Sequence, residues 1–321
     1  MTRSLPDLLA DAQCRVPADV QKKAKAEWKS TAPPALFELV KKTFRSLKQL
    51  DHEVSEQLEA LEQAVGAAKL AFDVVAFARA IHERSQHTST PLATTYLFSR
   101  DAKIAREYMK TRLDTSTKTL DIGVSLPTLP DTFFDALPHL AFENLEVSVG
   151  ELTSHRLAEL MPGIRRISLS LGNTTLPPEL FHDQLVWLTL RAKKLTEIPE
   201  AIGAAKRVWM LDIDAPKVKK LPKAMATLPL RSLSLTVGVP ALDVSVWPTL
   251  QFLYLHGTIK SIAGLDKLPT LEDYKQRCGA KFPQAIWDVP TLKSVWIWFD
   301  GFDDFDEMKA KFEARGIEVA M

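Results

Sequence analysis

Residues 185–202 read LVWLTLRAKKLTEIPEAI, and this stretch decides the fold of most of the chain. Leu188 and Leu190 alternate with other residues, which is the two-residue period of a β-strand with one buried face. Leu185 precedes this pair by three residues. The step Ile198–Pro199 follows it, and because proline cannot donate a ladder hydrogen bond, this step turns the chain out of the sheet.

The same apolar pair returns every 20 to 25 residues over two thirds of the chain. Such a period predicts a solenoid in which each unit buries its apolar face on its neighbours. The pairs are Leu120/Ile122, Leu145/Val147, Ile167/Leu169, Leu188/Leu190, Leu211/Ile213, Leu233/Leu235, Leu253/Leu255, an irregular Tyr274/Gln276 and Val295/Ile297.

This pattern resembles the leucine-rich repeat family, in its intracellular or bacterial-type variant that reads LxxLxL followed by LxxLPxxI. The resemblance covers about residues 118–300 in nine units. It implies an α/β solenoid, in which the units form an arc with a parallel β-sheet on its inner face. The chain lacks the family's asparagine ladder, because Gly150, Gly172 and Gly238 stand at positions where the family usually has asparagine. The backbone of these turns therefore needs other hydrogen-bond partners.

The first third of the chain has a different pattern. From Leu36 to Val75 the apolar residues follow helical spacing, which predicts either one long helix or two helices broken near Asp51. Further helices are expected at about 18–30 and from Pro91 to about 113. We therefore expect an all-α helical domain at 1–115 that caps the repeats, a repeat solenoid at 116–300, and a C-terminal helix–strand cap at 301–321.

Composition excludes several classes of partner. The chain has 41 basic and 40 acidic residues, a net charge of +1, so no general attraction to nucleic acid or acidic membranes is expected. Basic clusters at 22–29 and 41–48 fit solvated helix faces. No apolar run reaches the length of a membrane span, and no secretory signal is visible. Cys14 and Cys278 lie in different regions and form no disulfide framework, which predicts a cytoplasmic protein.

The sequence contains no catalytic motif. There is no glycine-rich phosphate loop, no nucleophile elbow and no zinc-ligand spacing. We therefore predict that the chain is not an enzyme and has no catalytic residues, metal or cofactor, although the question stays open for the helical domain.

The candidate binding residues alternate with the buried pairs, so they should share the inner face of the arc. Two interpretations of Trp296 and Trp298 are open: they bind a partner, or they are covered within the chain, either by the C-terminal helix or by stacking on Lys275 and Arg277. Asp212 and Asp214 beside Arg191 predict a charge pair across strands. The candidates are Trp187, Arg191, Asp212, Asp214, Tyr254, His256, Lys275, Arg277, Trp296 and Trp298.

These residues predict a protein–protein recognition module, an adaptor or scaffold, that binds another protein on the inner face. Aromatic residues beside arginine are typical of interface hot spots, and Lys275 with Arg277 would select an acidic patch. The alternative is a bacterial effector or toxin–immunity component whose helical N-terminus carries targeting or activity. The unit at Tyr274/Gln276 should pack loosely unless Gln276 bonds the turn backbone.

Overall fold

The computed structural model describes residues 4–14, 16–44, 54–85, 93–153, 156–278, 280–297 and 305–320. The chain divides into two compact units. The first unit comprises Met1–Thr111 and Pro130–Leu140, and the second comprises Arg112–Leu129 and Ala141–Met321. Residues 130–140, which follow the first repeat strand in the sequence, thus group with the helical unit.

The first unit is helical. Its helices are α1 (Leu5–Gln13), α2 (Ala18–Thr31), α3 (Pro34–Thr43), α4 (Ser55–Ala67), α5 (Val74–Arg84), α6 (Thr94–Phe98), α7 (Ala102–Thr111) and α8 (Asp131–Ala136). Helices α1 to α6 share a core that includes Leu36, Leu58, Phe77 and Ile81, all fully buried, and Ile104 of α7 packs against it. The predicted helix at about 18–30 is confirmed as α2.

Local caps explain where these helices begin. The Asp73 side chain accepts a hydrogen bond from the Ala76 N–H at 2.9 Å, and Asp101 accepts one from the Ile104 N–H at 3.1 Å. Both carboxylates start new helices inside stretches that the spacing predicted as continuous. The segment from Leu36 to Val75 therefore reaches three helices, so the single long helix is wrong. The end of α3 at Thr43 and the start of α4 at Ser55 lie on either side of Asp51, which itself lies outside the described residues, and the further break before α5 was not predicted. Helix α1, which the spacing did not predict, is capped by the Ser4 hydroxyl.

The second unit is built around a parallel sheet. Its strands are β1 (Leu113–Asp114), β2 (Thr119–Leu126), β3 (Asn144–Val149), β4 (Arg166–Leu171), β5 (Trp187–Arg191), β6 (Met210–Ala215), β7 (Ser232–Val237), β8 (Ala241–Asp243), β9 (Phe252–Gly257), β10 (Ser261–Ala263), β11 (Asp273–Cys278), β12 (Ser294–Ile297) and β13 (Glu318–Ala320). Its described residues also form the α-helices α9 (Leu157–Leu160) and α10 (Phe305–Glu313).

Eleven of these strands form one sheet in the order β1-β2-β3-β4-β5-β6-β7-β9-β11-β12-β13. Each pair is parallel except β1–β2, so each repeat strand pairs with the strands of the units before and after it. Strands β8 and β10 form a separate parallel pair. The predicted mostly parallel sheet with a helical region before it is confirmed.

The predicted apolar pairs form the core of the sheet. Every pair from Leu120/Ile122 to Leu253/Leu255 is at most 5% exposed. The pairs therefore lie in the interior of the stack that successive units form.

Prolines separate the strands from short 3₁₀ helices. Pro177, Pro199, Pro222 and Pro283 each stand directly before such a helix, in extended backbone. The fixed φ and missing N–H of proline suit the start of a helical turn, where the N–H would lack an intrahelical partner anyway. The helices are Pro178–Leu180, Glu200–Ala204, Lys223–Thr227 and Gln284–Asp288.

Glycine replaces asparagine because successive turns stack very closely. A Cβ atom at Gly172 would lie 2.3 Å from the carbonyl oxygen of Gly150, and one at Gly238 would lie 2.5 Å from that of Pro216. The turns bond each other directly instead: the Gly172 N–H donates to the Val149 carbonyl at 3.2 Å. Asn173 provides one side-chain bridge, since its amide both accepts from the Leu152 N–H and donates to the Leu152 carbonyl.

A threonine ladder connects the later units. The Thr249 hydroxyl donates to the Leu230 carbonyl at 2.7 Å. Thr270 and Thr291 repeat this bond at 2.8 Å, to the carbonyls of Leu250 and Leu271 respectively. Each threonine follows a proline in a Pro-Thr-Leu sequence, so one short motif fixes the start of each of these strands to the unit before it.

The prediction that the Tyr274/Gln276 unit packs loosely is wrong. Both side chains are fully buried. The Tyr274 hydroxyl donates to Gln276 Oε1 at 2.6 Å, and Gln276 Nε2 donates to the Ala280 carbonyl at 2.8 Å. The expected bond from Gln276 to turn backbone is thus confirmed. Burial raises the pKa of Tyr274 well above its usual value, so the phenol stays a hydrogen-bond donor.

The C-terminal helix and strand are confirmed as α10 and β13. Gly316, with a φ of 73°, lies between them in the left-handed region that favours glycine. Phe312 of α10 is fully buried and stacks on Trp287, with ring centroids 4.1 Å apart. This helix therefore packs on the 3₁₀ segment Gln284–Asp288.

We expect Leu211→Ala or Leu233→Ala to lower the free energy of unfolding by about 2–5 kcal/mol, because each removes a fully buried side chain from a strand pair. Urea unfolding followed by circular dichroism measures the change. Ser234→Ala, on the opposite face of β7, is the control and should change the free energy by about 0.5 kcal/mol or less. Losses below about 1 kcal/mol for both leucines would contradict the packing described.

Gly172→Ala should destabilise the chain by about 1–3 kcal/mol, because its methyl group would displace the Gly150 turn. Gly163→Ala is the matched control, since a Cβ there has no atom within 4 Å. Thermal unfolding of the two variants compares them directly. If the two variants were equally stable, the turns at Gly150 and Gly172 could move apart without cost, which would contradict their close stacking.

Candidate functional site

The face of the sheet opposite the buried pairs carries three rows of side chains, called here the exposed face. Neighbouring strands lie about 4.8 Å apart, so residues in one row are close enough to touch. The lower row runs Trp187, Met210, Ser232, Phe252, Asp273, Ser294; the middle row Thr189, Asp212, Ser234, Tyr254, Lys275, Trp296; and the upper row Arg191, Asp214, Thr236, His256, Arg277.

An aromatic–cation cluster occupies the late end of this face, formed by Phe252, Tyr254, Asp273, Lys275 and Trp296. The Lys275 ammonium lies 4.6 Å from the centroid of the Tyr254 ring and 5.9 Å from that of Trp296. These distances fit cation–π attraction, which holds the lysine between the two rings. Phe252 is 36% exposed, so the cluster presents an open aromatic surface.

Asp273 anchors the tyrosine of this cluster. The Tyr254 hydroxyl lies 3.4 Å from Asp273 Oδ2, a long and weak hydrogen bond. Burial and the Asp273 carboxylate together raise the pKa of Tyr254, because both disfavour a phenolate. The ring thus keeps its proton and its orientation.

Trp187 and Trp296, two of the predicted site residues, do not lie together. Trp187 on β5 is five strands from Trp296 on β12, roughly 24 Å away at the usual strand spacing. Its indole N–H donates to the Thr189 hydroxyl at 3.0 Å, and the Arg166 guanidinium lies 5.2 Å from its ring. Trp187 therefore belongs to a separate part of the exposed face.

Trp296 is half-buried beside Lys275, and Trp298 lies outside the described residues. The contacts of α10 and its C-terminal end are with the other side of the unit: Phe312 with Phe282 and Trp287, and Arg315 with the carbonyls of Trp287 and Val289. For Phe312, the interpretation that the C-terminal helix covers the late tryptophans is therefore wrong, and its part on Trp298 lies outside the described residues. Stacking on Lys275, the other part of that interpretation, is observed for Trp296.

Arg191 and Asp214 are neighbours in register, as predicted. Within the described part of the chain, however, neither Asp212 nor Asp214 forms an ion pair within 4.0 Å, and Arg191 has none either. The predicted charge pair across β5 and β6 is thus wrong. These three charges face solvent and remain open to other groups.

His256 lies in the upper row between Thr236 and Arg277. Burial lowers the pKa of His256 most, and the Arg277 cation lowers it further, whereas Asp212 and Asp214 act in the opposite direction. The lowered pKa favours the neutral imidazole, which offers one donor and one acceptor.

Two other findings concern the described residues only. No group of three or more His, Cys, Asp or Glu side chains is arranged to hold a metal ion there. Among the helices described, none is long and apolar enough to cross a membrane.

No family model matches the chain, and no curated protein matches it. Among solved structures, a leucine-rich repeat protein of Leptospira interrogans is similar at 21% identity, with a TM-score of 0.49 over 67% of this chain. The match covers 56% of that protein's length, so this chain spans little more than half of it. The function of the chain therefore has to follow from its own side chains.

Arg277→Gln should raise the pKa of His256, because it removes the second largest cause of its lowering, and Asp214→Asn should lower it further. NMR titration of the imidazole proton signals measures both changes. Arg207→Gln, a cation outside the charges that act on His256, is the control. An unchanged His256 titration in the Arg277 variant would contradict the arrangement of the upper row.

Proposed function

We propose that the exposed face of β9, β11 and β12 binds another protein, and that the chain acts as a recognition module, an adaptor or scaffold. The observation that carries this proposal is the aromatic–cation cluster. Aromatic rings and cations on one surface combine large contact area with directed polar contacts, which is the composition of interface hot spots.

The charges indicate the chemistry of the partner. Lys275 has no carboxylate within 4.0 Å among the described residues, so its charge is open to a partner. Arg277 follows two residues later on the same strand and points to the same face. Because opposite charges steer and align two surfaces, the partner presents an acidic patch to β11.

Asp212 and Asp214 extend this pattern to the other end of the site. They lie on β6, three strands from β11, roughly 14 Å away. A partner with a basic group at that distance from its acidic patch would fit in only one orientation. The two charged ends thus provide orientation, and the rings of Phe252 and Tyr254 between them, with Trp296 on the far side of β11, provide contact area.

The cluster is also held in place before binding. Its side chains stand on strands, and Lys275 is fixed between Tyr254 and Trp296. Side chains that are already ordered lose little conformational entropy on binding, which favours affinity.

The proposal includes a cytoplasmic location, which Cys14 and Cys278 support because both are free and buried. The proposal also keeps the three domains at residues 1–115, 116–300 and 301–321, except that residues 130–140 group with the helical unit. The alternative role as an effector or toxin–immunity component stays a hypothesis about the helical region.

Trp296→Ala and Arg277→Glu should each weaken partner binding by about 2 kcal/mol or more, roughly 30-fold, with melting temperatures close to that of the wild type. The partner is first identified by a photo-cross-linking amino acid at position 252 in cells of the source organism. Isothermal titration calorimetry with the purified partner then gives the affinities.

Lys206→Glu is the matched control, because Lys206 is exposed and lies outside the exposed face of the sheet. It should leave the affinity unchanged. Normal binding by both the Trp296 and the Arg277 variants would show that these residues do not bind the partner. Cross-linking that is equally efficient from position 206 would show that the partner does not bind specifically to the exposed face.

A further inference from the structure

A second surface lies away from the exposed face of the sheet. A groove of about 380 Å³ runs between residues 219–223 of one repeat unit and residues 239–247 of the next. Val246, on its wall, is 41% exposed. Among the described residues only Val246 and Phe252 are large apolar side chains with such exposure, and they lie on different surfaces.

One wall of this groove is a strand edge that pairs with no other described strand. Among the described residues β8 pairs only with β10: the Pro240 carbonyl accepts from the Ser261 N–H, and the Val244 N–H donates to the Ala263 carbonyl. Because successive residues of a strand point their polar backbone groups to opposite sides, those of Ala241 and Asp243 face away from β10. Both residues line the groove, so it contains an open backbone edge.

The rim of the groove is cationic. Lys219, Lys220 and Lys223 line it, and none of them has an ion pair within 4.0 Å in the described part of the chain. The two nearby carboxylates are engaged by backbone. Glu200 accepts from the N–H groups of Lys223 and Ala224 at 3.0 and 2.8 Å, and Asp243 accepts from the Ser245 N–H at 3.0 Å.

We infer that this groove binds an extended acidic peptide segment of another protein, which adds as a strand to the free edge of β8. Strand addition gives a peptide main-chain hydrogen bonds to Ala241 and Asp243. Its acidic side chains would contact Lys219 and Lys220. An aliphatic side chain would cover Val246. A nucleic acid would use the lysines but neither the backbone edge nor Val246, so the combination favours a peptide.

The test is a selection of random octapeptides displayed on phage against the full chain, followed by synthesis of the enriched sequence. We expect sequences that alternate Asp or Glu with aliphatic residues. The double variant Lys219→Glu/Lys220→Glu should weaken binding of the synthetic peptide at least tenfold. Lys22→Glu/Lys23→Glu makes the same charge change at exposed positions of α2 and should leave binding unchanged.

A modified peptide separates strand addition from charge attraction alone. Methylation of alternate backbone amides keeps every side chain and charge but removes the donors for β8, and should weaken binding at least tenfold. Equal binding of the methylated peptide would overturn the inference. The inference would also be overturned if the selection failed to enrich acidic peptides. Two further results would overturn it: peptide binding that is lost in Trp296→Ala but kept in the groove variant, and binding of a single-stranded oligonucleotide of equal length in place of the peptide.

Discussion

The structure of the second unit depends on the need of each repeat strand to bury its apolar pair against the strands beside it. A pair such as Leu211 and Ile213 is 1% exposed at each residue, yet it belongs to a strand of only six residues. No strand of this length can shield its own side chains, so each unit is stable only as part of the stack. Backbone bonds between successive strands then fix their separation at about 4.8 Å.

This separation determines much of the remaining sequence. It leaves no room for a side chain at Gly172, whose turn lies directly against that of Gly150. It also brings the residues between the buried pairs into continuous rows, and thereby places Lys275 between two aromatic rings that are distant in sequence. The close stacking of strands that stabilises the core therefore also forms the candidate binding face.

The sequence predicts the parts of the fold that repeat. Alternation at Leu188 and Leu190 is a local signal, and its return in nine units makes the register of the sheet predictable, including which residues face solvent. Features set by a single contact are not predictable in this way. The carboxylate of Asp73 starts a helix within an unbroken apolar period. Strands β8 and β10 have three residues each, too few to show a period.

The same limit applies to the candidate site. Register predicts that Arg191 and Asp214 are neighbours, but the absence of an ion pair between them depends on side-chain rotamers that no pattern records. Tyr274 and Gln276 look like defects in the repeat until their mutual hydrogen bond is known. The stacking of Phe312 on Trp287 joins residues 25 positions apart with no motif in common.

The threonine ladder has a consequence for how the chain could change during evolution. Thr249, Thr270 and Thr291 recur at a fixed interval of 21 residues, and each bonds the unit before it. An in-frame deletion of residues 250–270 would join Thr249 directly to Leu271. Thr249 would keep Leu230 as its acceptor, and Thr291 would keep Leu271. Genetic recombination at these codons can thus remove or duplicate a whole unit and leave each threonine with its carbonyl acceptor.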